Sequence, residues 1–387
     1  MKTRYLPLLL ATSLSLLVAP ASFAAQYDVL VGTYTGGASQ GLYRYRFDTA
    51  TGQIAPTPAQ VVPSDNPSWL ILNPDQTRLY AVNENGPGAK DVLGKVSAFT
   101  IDPHTHTVTQ TSQVMSRGDE PTYSSLAKGE RHLFVANYAV QPDPGGSLAV
   151  LSLNAKGELN PVVQQERHPA SGVNHERQAS SHVHSVVSSP DGRFVYVQDL
   201  GADKVFIYRY NGQKSKQPLT AANPAAVELP PGSGPRHLLF SADGKHAYLT
   251  LEMAGQVVVF DVRKGNLVRK QLIDLAAGQE VDHKAGAALH FSADSKWLYV
   301  TNRGKASELL VFSVDSKQGT LTEVQRRSVE GVEPREFSID PSGAFVLIAN
   351  QKSNQIVVIK RDPATGLLGD TVQTLAIDSP SDIKFLR

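Results

Sequence analysis

The sequence predicts an all-β protein closed as a seven-bladed β-propeller, and three observations carry that prediction. A unit of strand, tight turn, strand, short break and strand recurs along the chain. Six copies are whole, and the two chain ends hold complementary fragments of a seventh. No long amphipathic helical pattern competes with the strands.

The unit is plainest at residues 180–210, SSHVHSVVSSPDGRFVYVQDLGADKVFIYRY. An apolar strand leads into Pro190-Asp191-Gly192, where Asp-Gly supplies the backbone freedom that a tight hairpin turn requires. The β-rich run from Phe194 follows, then a Gly-Ala-Asp break, then a third strand from Lys204. The same order starts at Pro67, Pro121, Pro235, Gly286 and Pro334, at intervals of roughly 46 to 60 residues. Polar segments between units keep enough β-formers for a fourth, outer strand, as at 107–114 and 321–327. Residues 27–48 have second and third strands without a first, and residues 379–387 have a first strand and then stop. Pairing the two closes the ring and removes an exposed edge.

Residues 1–24 read as an export signal. Lys2 and Arg4 precede the short apolar run LPLLLATSLSLLVAP, and Ala-Ser-Phe-Ala then offers a cleavage site after Ala24. The run is too short for a membrane span. The mature chain, 25–387, is then a single propeller domain in the periplasm, and its formal net charge moves from +1 to −1. With no run of basic residues, no nucleic-acid partner is expected, and no membrane contact once the signal is removed. The chain has no cysteine, which excludes disulfides, zinc thiolates and a cysteine nucleophile.

In a propeller the start of each first strand and the end of each second strand meet at one mouth of the central channel. The first-strand starts supply Ser68-Trp69, Thr122-Tyr123, His182, His184, Arg236-His237, Arg335-Glu336 and Ser381-Asp382. The second-strand ends supply Asn83-Glu84, Asn137, Asp199, Glu252, Asn302-Arg303 and Asn350-Gln351. Titratable groups focused in a concave mouth mark the expected active site. His182 and His184 lie two apart and are expected on one face of a strand. His184 is aligned with Leu70, Leu238, Leu289 and Phe337, so it is expected to pack between blades. His182 is then the functional histidine. His-x-His also suggests a metal site, but no third ligand of suitable spacing accompanies it, and no metal is expected.

The motifs VGTYT at Val31, NPSWL at Asn66, FVANY at Phe134, SHVH at Ser181, PDGRFVYVQDLGAD at Pro190, GPRH at Gly234, YVTNRG at Tyr299 and EPREFSIDPSG at Glu333 resemble, in order, those of the bacterial lactonase propeller family. That family includes 6-phosphogluconolactonases, with fungal carboxymuconate-lactonising relatives. The resemblance covers essentially the whole mature chain. It implies a monomeric enzyme without cofactor that opens a small-molecule lactone, with catalytic His182, Arg236, Glu252 and Arg303. The family's histidine falls on His182 or His184, with Arg335 as a further candidate, and the strand-end positions suggest substrate binding by Glu84, Asn137, His184, His237, Asn302, Arg335, Asn350 and Gln351. Glu336 departs from the amide more usual in the family after Pro-Arg, so the mouth is less suited to a phosphate. Hydrolysis needs a base for water, which Glu252 or a histidine could supply, and cationic donors for the oxyanion, which Arg236 and Arg303 would supply. A sugar lactone such as gluconolactone is the expected substrate. A carboxymuconate-type cycloisomerase and a non-catalytic binding scaffold are the alternatives.

Overall fold

The computed structural model describes residues 26–89, 91–139 and 145–387, so the expected export signal lies outside the described residues. Seven antiparallel sheets surround a central axis, as the repeats predict. The inner strands are Pro67–Leu72, Pro121–Leu126, Val183–Ser188, Pro235–Phe240, Gly286–Phe291, Pro334–Ile339 and Pro380–Leu386, taken here as blades 1 to 7. In blade 3 the order from axis to rim is Val183–Ser188, Phe194–Asp199, Lys204–Tyr210 and Leu219–Glu228. Blade 7 is shared: the C-terminal strand pairs with Gln26–Thr33, which pairs with Gly41–Asp48. Among the described residues the one helical element is a 3-10 turn at Val281–His283, and no helix is long and apolar enough to cross a membrane.

The second strands are buried on both faces, which is why runs such as FVYV, HLFVA and FVLIA are continuously apolar. The core is accordingly a ring of seven apolar layers between neighbouring blades. Tyr196, Phe194, Leu249 and Phe260, for example, fill the layer between blades 3 and 4. Polar pegs set the register of blade on blade. Tyr80, Tyr196, Tyr248 and Tyr299 each donate a hydroxyl hydrogen bond to a glycine carbonyl of the next blade, at Gly157, Gly265, Gly319 and Gly366. On the rim, Gln60, Gln164, Gln271, Gln325 and Gln373 each donate to a carbonyl of the next blade and accept from the same residue's N–H. Such pairs satisfy backbone groups that the curved rim would otherwise leave unmade.

Closure is the condition for all of this, because blade 7 exists only when the two ends meet. Removal of residues 380–387 opens Gln26–Thr33 as an unpaired edge beside a half-covered apolar layer. The truncated chain should lose its cooperative thermal transition and aggregate; an unchanged melting curve would contradict the closure.

Candidate active site

Every inner strand begins with a β-bulge at the same end. In blade 1 Pro67 opposes Asn83 and Trp69 opposes Val82, leaving Ser68 as the extra residue. The corresponding shifts place Thr122, His184, Arg236, Ala287, Arg335 and Ser381 at this position. A bulge re-aims a side chain. All seven except Ala287 line one small cavity on the axis. The residue after each second strand completes the arrangement. Tyr34, Glu84, Tyr138, Leu200, Glu252, Arg303 and Gln351 each donate a backbone hydrogen bond to the carbonyl just before the inner strand, in all seven blades. The mouth therefore carries two rings of side chains, one from bulges and one from second-strand exits.

Glu252 is the centre of the charged half. Its Oε2 accepts from Arg236 Nε at 2.9 Å and lies 3.0 Å from Arg303 Nη2, and its Oε1 accepts from Arg177 Nη2 at 2.8 Å. His184 Nε2 stands 3.6 Å from the same Oε2. Burial alone would raise the Glu252 pKa, but Arg303, Arg236 and Arg177 outweigh it and hold the carboxyl well below the usual range. Arg236 is 1% exposed. Burial and the neighbouring Arg303 bring its pKa down to about 9, which leaves it charged at neutral pH. His184 and His237 are pushed well below the ordinary imidazole value, first by burial and then by Arg236, so both are neutral. His237 also packs on the stacked rings of Trp69 and Tyr123, which lie inside the channel.

Across the mouth, Arg335 Nη2 meets Glu84 at 3.2 Å and lies over the Tyr34 ring. Glu84 Oε2 also accepts from Tyr34 Oη at 2.8 Å and from Ser68 Oγ. From Tyr34 and Glu84 a groove of about 780 Å³ opens outward between blades 7 and 1. Among its described lining residues are four carboxylates, Asp65, Glu84, Asp91 and Glu120, and no cation.

The structure thus brings together Arg236, Glu252, Arg303, His184 and His237, with Glu84 and Arg335 opposite. It places the two histidines otherwise than expected. The bulge falls at His184, and both rings contact Tyr138, His182 stacked on it and His184 edge-on. His184 is the one turned to Glu252. His182 stacks on Tyr138, with Nδ1 3.0 Å from the Tyr138 carbonyl and Nε2 3.3 Å from Ser180 Oγ. Asp199 is likewise spent on structure, accepting from the His182 N–H, Ser181 Oγ and His168 Nδ1. The expected amide ring does not form either. Asn137, Asn302 and Asn350 are fully buried, and their amides donate to carbonyls of the chain entering the blade, at Ser116, His283 and Val329. Gln351 keeps its side-chain oxygen buried without a protein partner. Arg177 escaped the sequence reading. It sits on the excursion between blades 2 and 3, where no repeat register applies, and its hydrogen bond to Tyr138 Oη carries it over the mouth. Among the described residues no cluster suits a metal ion.

Comparison with known proteins follows this geometry. The model of a family described as "Lactonase, 7-bladed beta-propeller" matches residues 28–385. Two curated 6-phosphogluconolactonases are similar: that of Bacillus subtilis (strain 168) is 29% identical over 94% of this chain and 99% of its own length. That of Formosa agariphila is 32% identical over 92% of this chain and 98% of its own. Among solved structures, the periplasmic gluconolactonase PpgL of Pseudomonas aeruginosa superposes with TM-score 0.91 at 52% identity, covering 94% of this chain and 99% of that one.

Replacing Glu252 with Gln leaves Arg236 buried without its counter-charge, at a cost of about 3–5 kcal/mol. The folded-state pKa is depressed, so the ionised carboxylate stabilises the fold above the unfolded value of about 4.3 and that contribution fades as pH falls below it. Denaturant titrations of wild type and Glu252→Gln should show a constant gap near neutral pH that narrows below about pH 4.

Proposed function

The chain belongs to the seven-bladed β-propeller lactonase family, and on that premise we propose that it hydrolyses an unphosphorylated aldonolactone, such as gluconolactone, to the free acid in the periplasm. The observation that carries this reading is the convergence of Arg236 and Arg303 on one buried carboxylate oxygen beside a neutral imidazole. Glu252 fixes both guanidinium groups before substrate arrives. The guanidinium groups so fixed are cationic donors for the lactone carbonyl oxygen as it becomes an oxyanion.

Three cations on Glu252 make its carboxylate a poor base, so His184 is the better acceptor for the proton of the attacking water. Burial chiefly keeps this imidazole neutral, and the negative charge that develops on the substrate offsets the part that the arginines add. Ring opening then leaves a carboxylate among Arg177, Arg236 and Arg303 and a free hydroxyl. The acidic groove beside Glu84 suits the hydroxylated, uncharged part of a sugar and disfavours a phosphate. The name of the Pseudomonas aeruginosa relative supports both the substrate and the compartment.

The purified mature protein should open glucono-1,5-lactone faster than the spontaneous reaction across about pH 6 to 8; no acceleration would overturn the proposal. Arg303→Ala should lower kcat by about 100-fold or more while the melting temperature moves less than in Glu252→Gln. The 6-phosphorylated lactone should show the lower kcat/KM, and an equal or higher value would reject the unphosphorylated assignment.

A further inference from the structure

Below the mouth the channel holds buried titratable groups that the hydrolytic steps above do not use. Glu336, on the inner strand of blade 6, is 1% exposed. Its Oε1 lies 2.6 Å from His290 Nε2 and accepts from the Phe337 N–H at 3.0 Å, while its Oε2 is buried with no protein partner. His290 belongs to the far half of the blade 5 inner strand, and its side chain is 35% exposed. It therefore links a fully buried carboxylate to solvent away from the mouth.

Glu336 also lines the small axial cavity ringed by the bulges. That cavity leaves about 10 Å³, the room of a single water molecule. Two more of its lining residues bring buried polar atoms without a protein partner, His184 Nδ1 and Ser381 Oγ. Three residues that line one water-sized space thus each carry a buried polar atom without a protein partner, and a buried water needs two to four such partners. His184 thus stands between two environments, with Nε2 toward Glu252 in the mouth and Nδ1 as its unpartnered buried atom.

We propose that this cavity is a single-water site held by Glu336, Ser381 and His184, and that the water, Glu336 and His290 carry the proton of hydrolysis along the propeller axis to the opposite face. The proposal rests on the hydrolase reading. Water adds to the lactone carbonyl carbon and gives one proton to His184 Nε2, the ring C–O bond breaks, and the leaving alkoxide takes up the second proton of that water. The product is the hydroxy carboxylate, so each turnover leaves one net proton on His184 beneath a mouth that substrate covers. His184 passes a proton from Nδ1 to the axial water, the water passes one to Glu336, and His290 delivers it to solvent; the water, Glu336 and His290 return to their starting states, and His184, left as the Nε2–H tautomer, regains the Nδ1–H form by a turn of its ring before the next cycle. No oxidant or co-reactant is needed.

The surrounding charges suit such a route. Burial pushes the Glu336 carboxyl up, but His290 beside it outweighs this and holds it down. Asp382, on the neighbouring inner strand, is raised by burial and by Glu336 although Lys384 opposes the shift. Arg236 from blade 4 and Tyr123 from blade 2 also feel Glu336. His184 faces Arg236, Arg303, Arg335, Glu252 and His237. Glu336 is the relay's buried anion, and His290 its outlet.

The test measures glucono-1,5-lactone turnover in weak buffer and with added imidazole, for wild type, Glu336→Gln and His290→Gln. Both variants should turn over at least about tenfold more slowly in weak buffer, with KM near wild type, and added imidazole should restore the rate. His290→Gln decides the matter where Glu336→Gln does not fold. Wild-type rates in weak buffer for His290→Gln, or a loss that imidazole does not restore, would overturn the relay. A high-resolution crystal structure of the wild type judges the water site independently of activity. Density within hydrogen-bond distance of Glu336 Oε2, Ser381 Oγ and His184 Nδ1 is expected even if no lactone is hydrolysed, and its absence would overturn the site.

Discussion

One backbone hydrogen bond, repeated seven times, sets the geometry of the mouth. The residue leaving each second strand donates its N–H to the carbonyl just before the inner strand of the same blade. The inner strand must then fit one extra residue between that bond and the regular ladder, and the result is a bulge in every blade. In five blades the residue before the bulged strand has positive φ and precedes a proline: Asn66, Glu120, Gly234, Glu333 and Ser379. The scaffold thus presents fourteen positions at one face by a single local rule, and chemistry is a matter of which residues occupy them. Blade 4 places Arg236 and Glu252 there; blade 5 pairs the small Ala287 with Arg303.

Electrostatics couples those positions into one unit. Arg236 is buried and stays charged because Glu252 stays ionised; Glu252 stays ionised because Arg177, Arg236 and Arg303 surround it. Burial, reinforced by Arg236 and Arg335, keeps His184 and His237 neutral. Such a cluster is costly to assemble and offers little net stability. What it provides is preorganisation, with donors and a neutral imidazole held in place before charge develops on a substrate.

The architecture was legible in the sequence to a large degree. Asp-Gly turns, strand-length apolar runs and the complementary ends fixed the blade count and the shared seventh blade, because closure admits few alternatives. Arg236, Glu252 and Arg303 were legible too, since strand ends follow directly from the repeats. The bulge was not. The expected register of His184 beside Leu70 and Phe337 is two residues off. His184 stands seven residues before Asp191, as Ser68 does before Asp75 and Arg236 before Asp243, and it is Val186 that pairs at the level of Leu70. Counted back from the turn, His184 shares the bulge position with Ser68, Thr122, Arg236 and Arg335, and Ser381 holds it in the shared blade. The repeated asparagines misled for a different reason: a residue that recurs at a strand end serves the repeat, here by capping the incoming chain, whereas a site needs residues that differ from blade to blade. Arg177 carried no local signal, because its contact with Glu252 is made across the mouth by a loop outside the repeat.

The account stands on the mouth of the propeller as the place where substrate carbonyl meets Arg236 and Arg303. A crystal structure of the mature protein with the aldonate product, gluconate, tests that most directly. The account predicts the product carboxylate within hydrogen-bond distance of Arg236 or Arg303 and its hydroxyls directed toward Glu84 and the acidic groove. A product bound on the rim or the opposite face, with the Arg236–Glu252–Arg303 cluster untouched, would contradict it.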